Sequence, residues 1–158
     1  LLPVFVMTKL RGKVNRFIEG LLVLILGGMV INVIWQVFTR FFTSNPSAFT
    51  NELARYLMIW LGVLGAAYIS GKNEHVTINF FAQKFNESIQ KFINRFVIFS
   101  IISFALFVMF IGGIHLVFIT TKLEQYSPSL QIPLALVYSI IPISGLLIIF
   151  YKVTQEKS

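Results

Sequence analysis

The stretch FVIFSIISFALFVMFIGGIHLVFITT, residues 96–121, contains no Asp, Glu, Lys or Arg. It exceeds the roughly 20 mostly apolar residues that a helix needs to cross a bilayer. Three further runs share its character: GLLVLILGGMVINVIWQVFT (20–39), YLMIWLGVLGAAYISG (56–71) and IPLALVYSIIPISGLLIIFY (132–151). Hydrocarbon offers backbone N–H and C=O groups no partners, so each run must satisfy its own as a helix. The expected fold is an all-α integral membrane protein forming a single membrane domain over residues 1–158. Its transmembrane helices are predicted at about 18–40, 50–71, 96–121 and 132–151. Only 12% of the 158 residues are charged, against about a quarter in a soluble domain. Little is left for a folded domain outside the membrane.

The net charge of +7 raises the question of nucleic acid, but the placement of the charges answers it. Lys9, Arg11, Lys13 and Arg16 precede the first span, and Lys72, Lys84, Lys91 and Arg95 lie between the second and third. Lys152 and Lys157 end the chain. The opposite side holds Arg40 and Lys122, with Arg55 near a helix start. Such asymmetry is the positive-inside pattern. Both termini and the central loop are therefore expected in the cytoplasm, and the basicity reads as topology and contact with anionic lipid rather than nucleic-acid binding. The absence of cysteine removes thiolate metal sites, iron–sulfur clusters and disulfide exchange. Met7-Thr8-Lys9-Leu10-Arg11 has the form of a natural start, so residues 1–6 are expected to be a remnant ahead of it. The first apolar run is too long for a signal-peptide core and lacks a cleavage site after it.

Side-chain spacing sorts the helix faces. Gly28, Asn32, Gln36 and Arg40 recur every four residues and share a flank of the first span, which suits helix packing through amide hydrogen bonds. Asn45 and Pro46 suit the cap and first turn of a second helix, which places Glu52 and Arg55 near its outer end, three residues apart and able to pair. Gly62, Ala66 and Ser70 continue that stripe as a small-residue ridge open to close approach by another helix. Residues 80–95 are amphipathic, with Phe81, Phe85, Ile89 and Phe92 against Lys84, Gln90 and Lys91. An interfacial helix between the second and third spans is expected there, the alternative being an extension of the third span. Lys84, Lys91 and Arg95 are its candidate lipid-interface residues. Pro133 suits the first turn of the fourth helix, and Pro142 falls inside it, where it removes a backbone hydrogen bond and kinks the helix.

No chemistry-bearing constellation emerges. His75 falls past the inner end of the second span and His115 about twenty residues into the third, roughly 30 Å from that side at ~1.5 Å per residue. They cannot share a haem. No His- or carboxylate-rich metal pattern and no phosphate-binding loop is present. Ionisable groups mark transport paths when they sit mid-membrane, and Glu19, Arg40, Glu52 and Arg55 all lie near the boundaries. The expectation is a subunit with no catalytic residue, no cofactor, no metal and no transport site of its own.

Three patches resemble a known family. They are Trp35-Gln36-Val37-Phe38-Thr39-Arg40-Phe41 leading to Asn45-Pro46; Thr50-Asn51-Glu52-Leu53-Ala54-Arg55-Tyr56 through Trp60, Gly62 and Gly65-Ala66-Ala67 to His75-Val76-Thr77-Ile78-Asn79; and Gln131-Ile132-Pro133 with Tyr138 and Ile141-Pro142-Ile143. In order and spacing the chain resembles the small membrane subunit (DctQ-type) of TRAP, or tripartite ATP-independent periplasmic, transporters. Asn79 departs from the Asp common in that family, which leaves an acid-dependent contact there without support. The resemblance implies a bacterial inner-membrane protein beside a large subunit that carries the substrate and sodium sites. It also implies a periplasmic substrate-binding protein that delivers an organic acid such as a dicarboxylate or sialic acid. The small subunit would then brace a large elevator-type partner, and Arg40, Glu52, Arg55, Trp60, Gly62 and Ala66 are the candidates for the subunit-interface or intrachain packing face. The competing expectation is an autonomous homo-oligomeric four-helix transporter of small solutes; a third is a membrane-anchored assembly factor.

Overall fold

A computed structural model describes residues 2–42, 48–72 and 87–155. Its helices are α1 (Leu2–Phe42), α2 (Ala48–Gly71), α3 (Glu87–Phe104), a π-helical segment (Ala105–Gly112), α4 (Gly113–Lys122), α5 (Leu134–Tyr138) and α6 (Ile140–Gln155). α3, the π segment and α4 follow without interruption as the third span, and α5 and α6 make the fourth. Four stretches are long and apolar enough to cross a membrane: Leu10–Phe42, Ala48–Gly71, Ile89–Lys122 and Leu134–Thr154. The protein is an all-α membrane protein of four transmembrane helices. The described residues contain no strand, only a single antiparallel bridge between Tyr126 and Pro133.

α1 has 41 residues, about 60 Å at 1.5 Å per residue, twice the hydrocarbon thickness of ~30 Å. Its basic first part, with Arg11, Lys13 and Arg16, therefore extends beyond the core. Glu87 to Arg95 belong to the same helical run as the third span. The remainder of the amphipathic stretch, including Lys84, lies outside the described residues, as do Asn45, Pro46 and His75.

The lateral order of the helices is first, second, fourth, third. α1 packs on α2, α2 on α6, and α6 on the π segment, while the first and third spans make no extended contact among the described residues. Two apolar clusters hold the row. Ile25, Leu64 and Ile140 join the first three helices of that order, and Ala67, Ala105 and Ile148 join the last three. Because lipid tails are as apolar as these side chains, close van der Waals fit rather than water exclusion holds such seams.

Glycine supplies that fit where the third and fourth spans meet. A Cβ at Gly113 would lie 2.8 Å from Cδ of Pro142, and one at Gly145 would lie 3.0 Å from the Ala105 carbonyl oxygen and from Met109 Cβ. Pro142 acts as the sequence implies, one turn earlier than its own position. Its missing N–H and its ring disrupt the preceding turn, and the helix breaks at Ser139. There the backbone N–H bonds the Ala135 carbonyl at 3.0 Å and the hydroxyl bonds that of Leu136 at 2.7 Å. At Gly62, by contrast, an added Cβ meets nothing within 4 Å.

Gly113→Ala is therefore expected to destabilise the detergent-solubilised chain by about 1–3 kcal/mol through overpacking, while Gly62→Ala, with open space at the new Cβ and a better helix former in place, does not destabilise it. Denaturant titrations followed by circular dichroism check the pair.

Candidate functional site

The polar side chains of the spans gather at the two ends of the row. At one end, Glu52 stands in the second turn of α2 and faces the connection between the third and fourth spans. Its Oε2 accepts from the Ser127 hydroxyl at 2.6 Å, the Ser129 N–H at 3.0 Å and the Leu130 N–H at 3.1 Å. Ser127 is fully buried. Its own N–H donates to the Ile132 carbonyl at 2.9 Å, and its carbonyl accepts from the Gln131 N–H at 3.1 Å. Gln131 adopts a left-handed φ of 54°, which costs a non-glycine residue energy; its side-chain amide bonds the Pro128 carbonyl at 3.2 Å and helps hold the turn. A carboxylate with three donors thus organises the whole connection.

Two further ties sit nearby. Asn32, buried on α1, donates from Nδ2 to the carbonyl of buried Thr50 at 2.8 Å. Trp60 donates from Nε1 to the Val137 carbonyl at 3.0 Å, joining α2 to the last turn of α5. Glu52 and Trp60 are therefore engaged within the chain. The ion pair open to Glu52 and Arg55 by spacing does not form, because the carboxylate faces the 127–130 turn. Arg55, Gly62 and Ala66 lie exposed on another face of α2, and Arg40 is exposed near the end of α1.

The opposite end holds a second set of ties, built from Arg11, Asn15 and Glu19. The guanidinium of Arg11 donates to the Gly71 carbonyl, the Tyr151 hydroxyl donates to Asn15 Oδ1 at 2.6 Å, and the Tyr68 hydroxyl donates to the Glu19 carboxylate. Lys72 Nζ stands 3.6 Å from Glu19 and 4.7 Å above the Tyr68 ring. Hydrogen bonding to Tyr68 and attraction to Glu19 hold its ammonium above the ordinary lysine range. The Tyr151 ring is wholly buried and lies flush on Gly71, where an added Cβ would stand 2.9 Å from it. First, second and fourth spans converge here. Charge counting missed this site, since it treated Arg11 as a topology marker. The recoverable signal was the four-residue spacing of Arg11, Asn15 and Glu19 on one flank of a helix. Lys91 and Arg95 are exposed on α3, away from these contacts.

These polar groups are engaged within the chain, most of them joining two of its elements. Among the described residues no group of three His, Cys, Asp or Glu side chains converges on a metal position. Fold and ties together define a four-span membrane subunit whose polar groups serve its own assembly.

The family is specific. The profile of the Tripartite ATP-independent periplasmic transporters, DctQ component, matches residues 29–155, and the chain belongs to that family. A Haemophilus influenzae protein designated a TRAP transporter small permease is 29% identical over 152 residues, covering 94% of this chain and 91% of that one. The sialic acid TRAP transporter small permease protein SiaQ of Vibrio cholerae is 32% identical over 78 residues, 49% of this chain and 45% of its own length. The sialic acid TRAP transporter permease protein SiaT of Haemophilus influenzae is 33% identical over 89 residues, 56% of this chain but 14% of that much longer polypeptide. The protein is a small TRAP permease subunit and not an enzyme.

Glu52→Ala is expected to release the connection between the third and fourth spans. Amide exchange at Ser129 should accelerate roughly tenfold, the loss of about one net hydrogen bond, and less at Leu130, whose N–H also donates to Ser127 Oγ at 3.3 Å, while Arg55→Ala leaves both rates unchanged. Hydrogen–deuterium exchange with mass spectrometry reads both.

Proposed function

We propose that this chain is the non-catalytic scaffold subunit of a sodium-coupled TRAP transporter for organic acids such as dicarboxylates or sialic acid. In this reading it braces a large elevator-type membrane subunit, to which a periplasmic substrate-binding protein delivers the substrate. The observation that carries it is the pairing of ties at both ends of the row, Glu52 with the 127–130 turn outside and Arg11, Asn15 and Glu19 with the second and fourth spans inside. A part fastened at both ends suits a stationary support against which another subunit moves. The likeness to part of SiaT supports a partner of permease type, since there a related stretch belongs to a far longer permease chain. The substrate class follows the names of SiaQ and SiaT.

The exposed face of α2 with Arg55, Gly62 and Ala66, together with Arg40 at the outer end of α1, is the surface we assign to the large subunit. Glu52 and Trp60 support it from within. Lys84, Lys91 and Arg95 are assigned to the lipid interface. The chain resides in the bacterial inner membrane with both termini in the cytoplasm, on the strength of the basic-residue asymmetry.

Gly62→Leu and Ala66→Leu should lower co-purification with the large subunit without altering the isolated chain. Normal assembly and normal uptake in both variants would remove this face from consideration. Liposomes containing this polypeptide alone should take up no substrate; uptake there would favour the autonomous transporter. Because the chain has no native cysteine, Tyr126→Cys should react with a membrane-impermeant maleimide from outside intact spheroplasts, whereas Lys157→Cys should react only after lysis.

A further inference from the structure

Between Phe104 and Ile119 the exposed side chains of the third span are apolar, His115 excepted. It stands on α4 beside a cavity of about 440 Å3 whose walls include Val108, Gly112, Leu116, Ile119 and Ile141. The cavity has a structural cause. Gly112 and Gly113 contribute no side chains, the Gly113 backbone presses on Pro142, and the fourth span is broken at Ser139 just beyond Ile141. A Cβ at Gly112 would meet only the Phe107 carbonyl of its own helix, at 3.7 Å. The groove is open to a backbone approaching from outside.

Depth makes the histidine costly there. It lies seven residues before Lys122, ~10 Å along the helix, and the exposed apolar side chains Leu116, Phe118 and Ile119 stand between it and the outer end. Thr120 and Thr121 turn their hydroxyls back onto the Leu116 and Val117 carbonyls, as threonines do within helices, and so offer the ring no partner. Among the described residues the imidazole has no hydrogen-bond partner. Its two ring nitrogens need partners that hydrocarbon does not supply, and ionisable groups within spans accordingly face protein or water rather than lipid. An acyl chain would fill the apolar walls and leave the ring unpaired, while the phosphate and ester groups of that lipid would sit a turn or more above it.

We propose that this groove receives a transmembrane helix of the large permease subunit, which sets a hydroxyl, amide or carboxylate side chain against the His115 ring. The inference rests on the partnership proposed above and adds a contact surface on the third and fourth spans, built around a polar pair rather than around the small-residue face of α2. Absence of a side chain at Gly112 lets the incoming helix lie close, and the pair fixes its height.

A benzophenone amino acid placed at Leu116 or Ile119, in cells that also produce the tagged large permease, should cross-link to that permease. The same probe at Phe107, outside the groove, should yield lipid adducts. His115→Leu should lower recovery of the complex about three- to tenfold, the range for one hydrogen bond between membrane helices. His115→Asn should restore most of it. Matching circular dichroism and denaturation of the isolated variants exclude misfolding as the cause, and cross-linking of the unsubstituted chain does not depend on them. Groove probes that capture only lipid or a second copy of this chain would overturn the proposal, as would wild-type recovery of His115→Leu. Co-purification of the unsubstituted chain with the permease separates the two readings. If it occurs while the groove probes miss the permease, this inference alone fails; if it does not occur, the partnership itself fails.

Discussion

Hydrocarbon supplies no hydrogen-bond partners, and the protein is shaped by that lack. The backbone answers it by forming helices. The side chains answer it by placing most polar groups at the two ends and pairing them there. Glu52 collects three donors from a single turn, which removes a carboxylate from the membrane boundary and gives the connection between the third and fourth spans its conformation. Without that acceptor, the buried Ser127 hydroxyl and the Ser129 N–H would need other partners. At the opposite end Arg11, Asn15 and Glu19 place three unlike side chains along one flank of α1, each bonded to another helix.

Charge and hydropathy made the four spans legible because their lengths and boundaries are set by the bilayer. The break in the fourth was legible at Pro142, since no context restores its missing N–H. Helix neighbours were not. A four-residue repeat defines a face without naming what covers it, and the row order arises from shape at Gly71, Gly113 and Gly145, whose close contacts lie with residues far along the chain. The small-residue ridge at Gly62 and Ala66 looked like the natural seam, yet it faces outward. Glu52 was legible as important and misread in its partner, because three residues along a helix is a spacing local reasoning sees, whereas a turn some 75 positions away is not.

The same physics connects the structure with the family assignment. A subunit that uses its polar side chains to fasten its own helices has few left for handling a solute, and the relatives carry the names of small permeases. The likeness to one portion of a much longer permease places the same type of module inside a larger polypeptide. That organisation is expected where a module works through its fit to a neighbour.

The lateral order of the helices has a mechanical consequence. Slippage of the first, second or fourth rod past its neighbour strains fastenings at both extremities, so that part of the slab is stiff to shear within its own plane. Flexure about the lengthwise lines between rods strains far fewer of them, so the slab yields like a hinged screen. A load applied edge-on is passed along undiminished, whereas a load applied broadside is absorbed as curvature shared with the surrounding lipid.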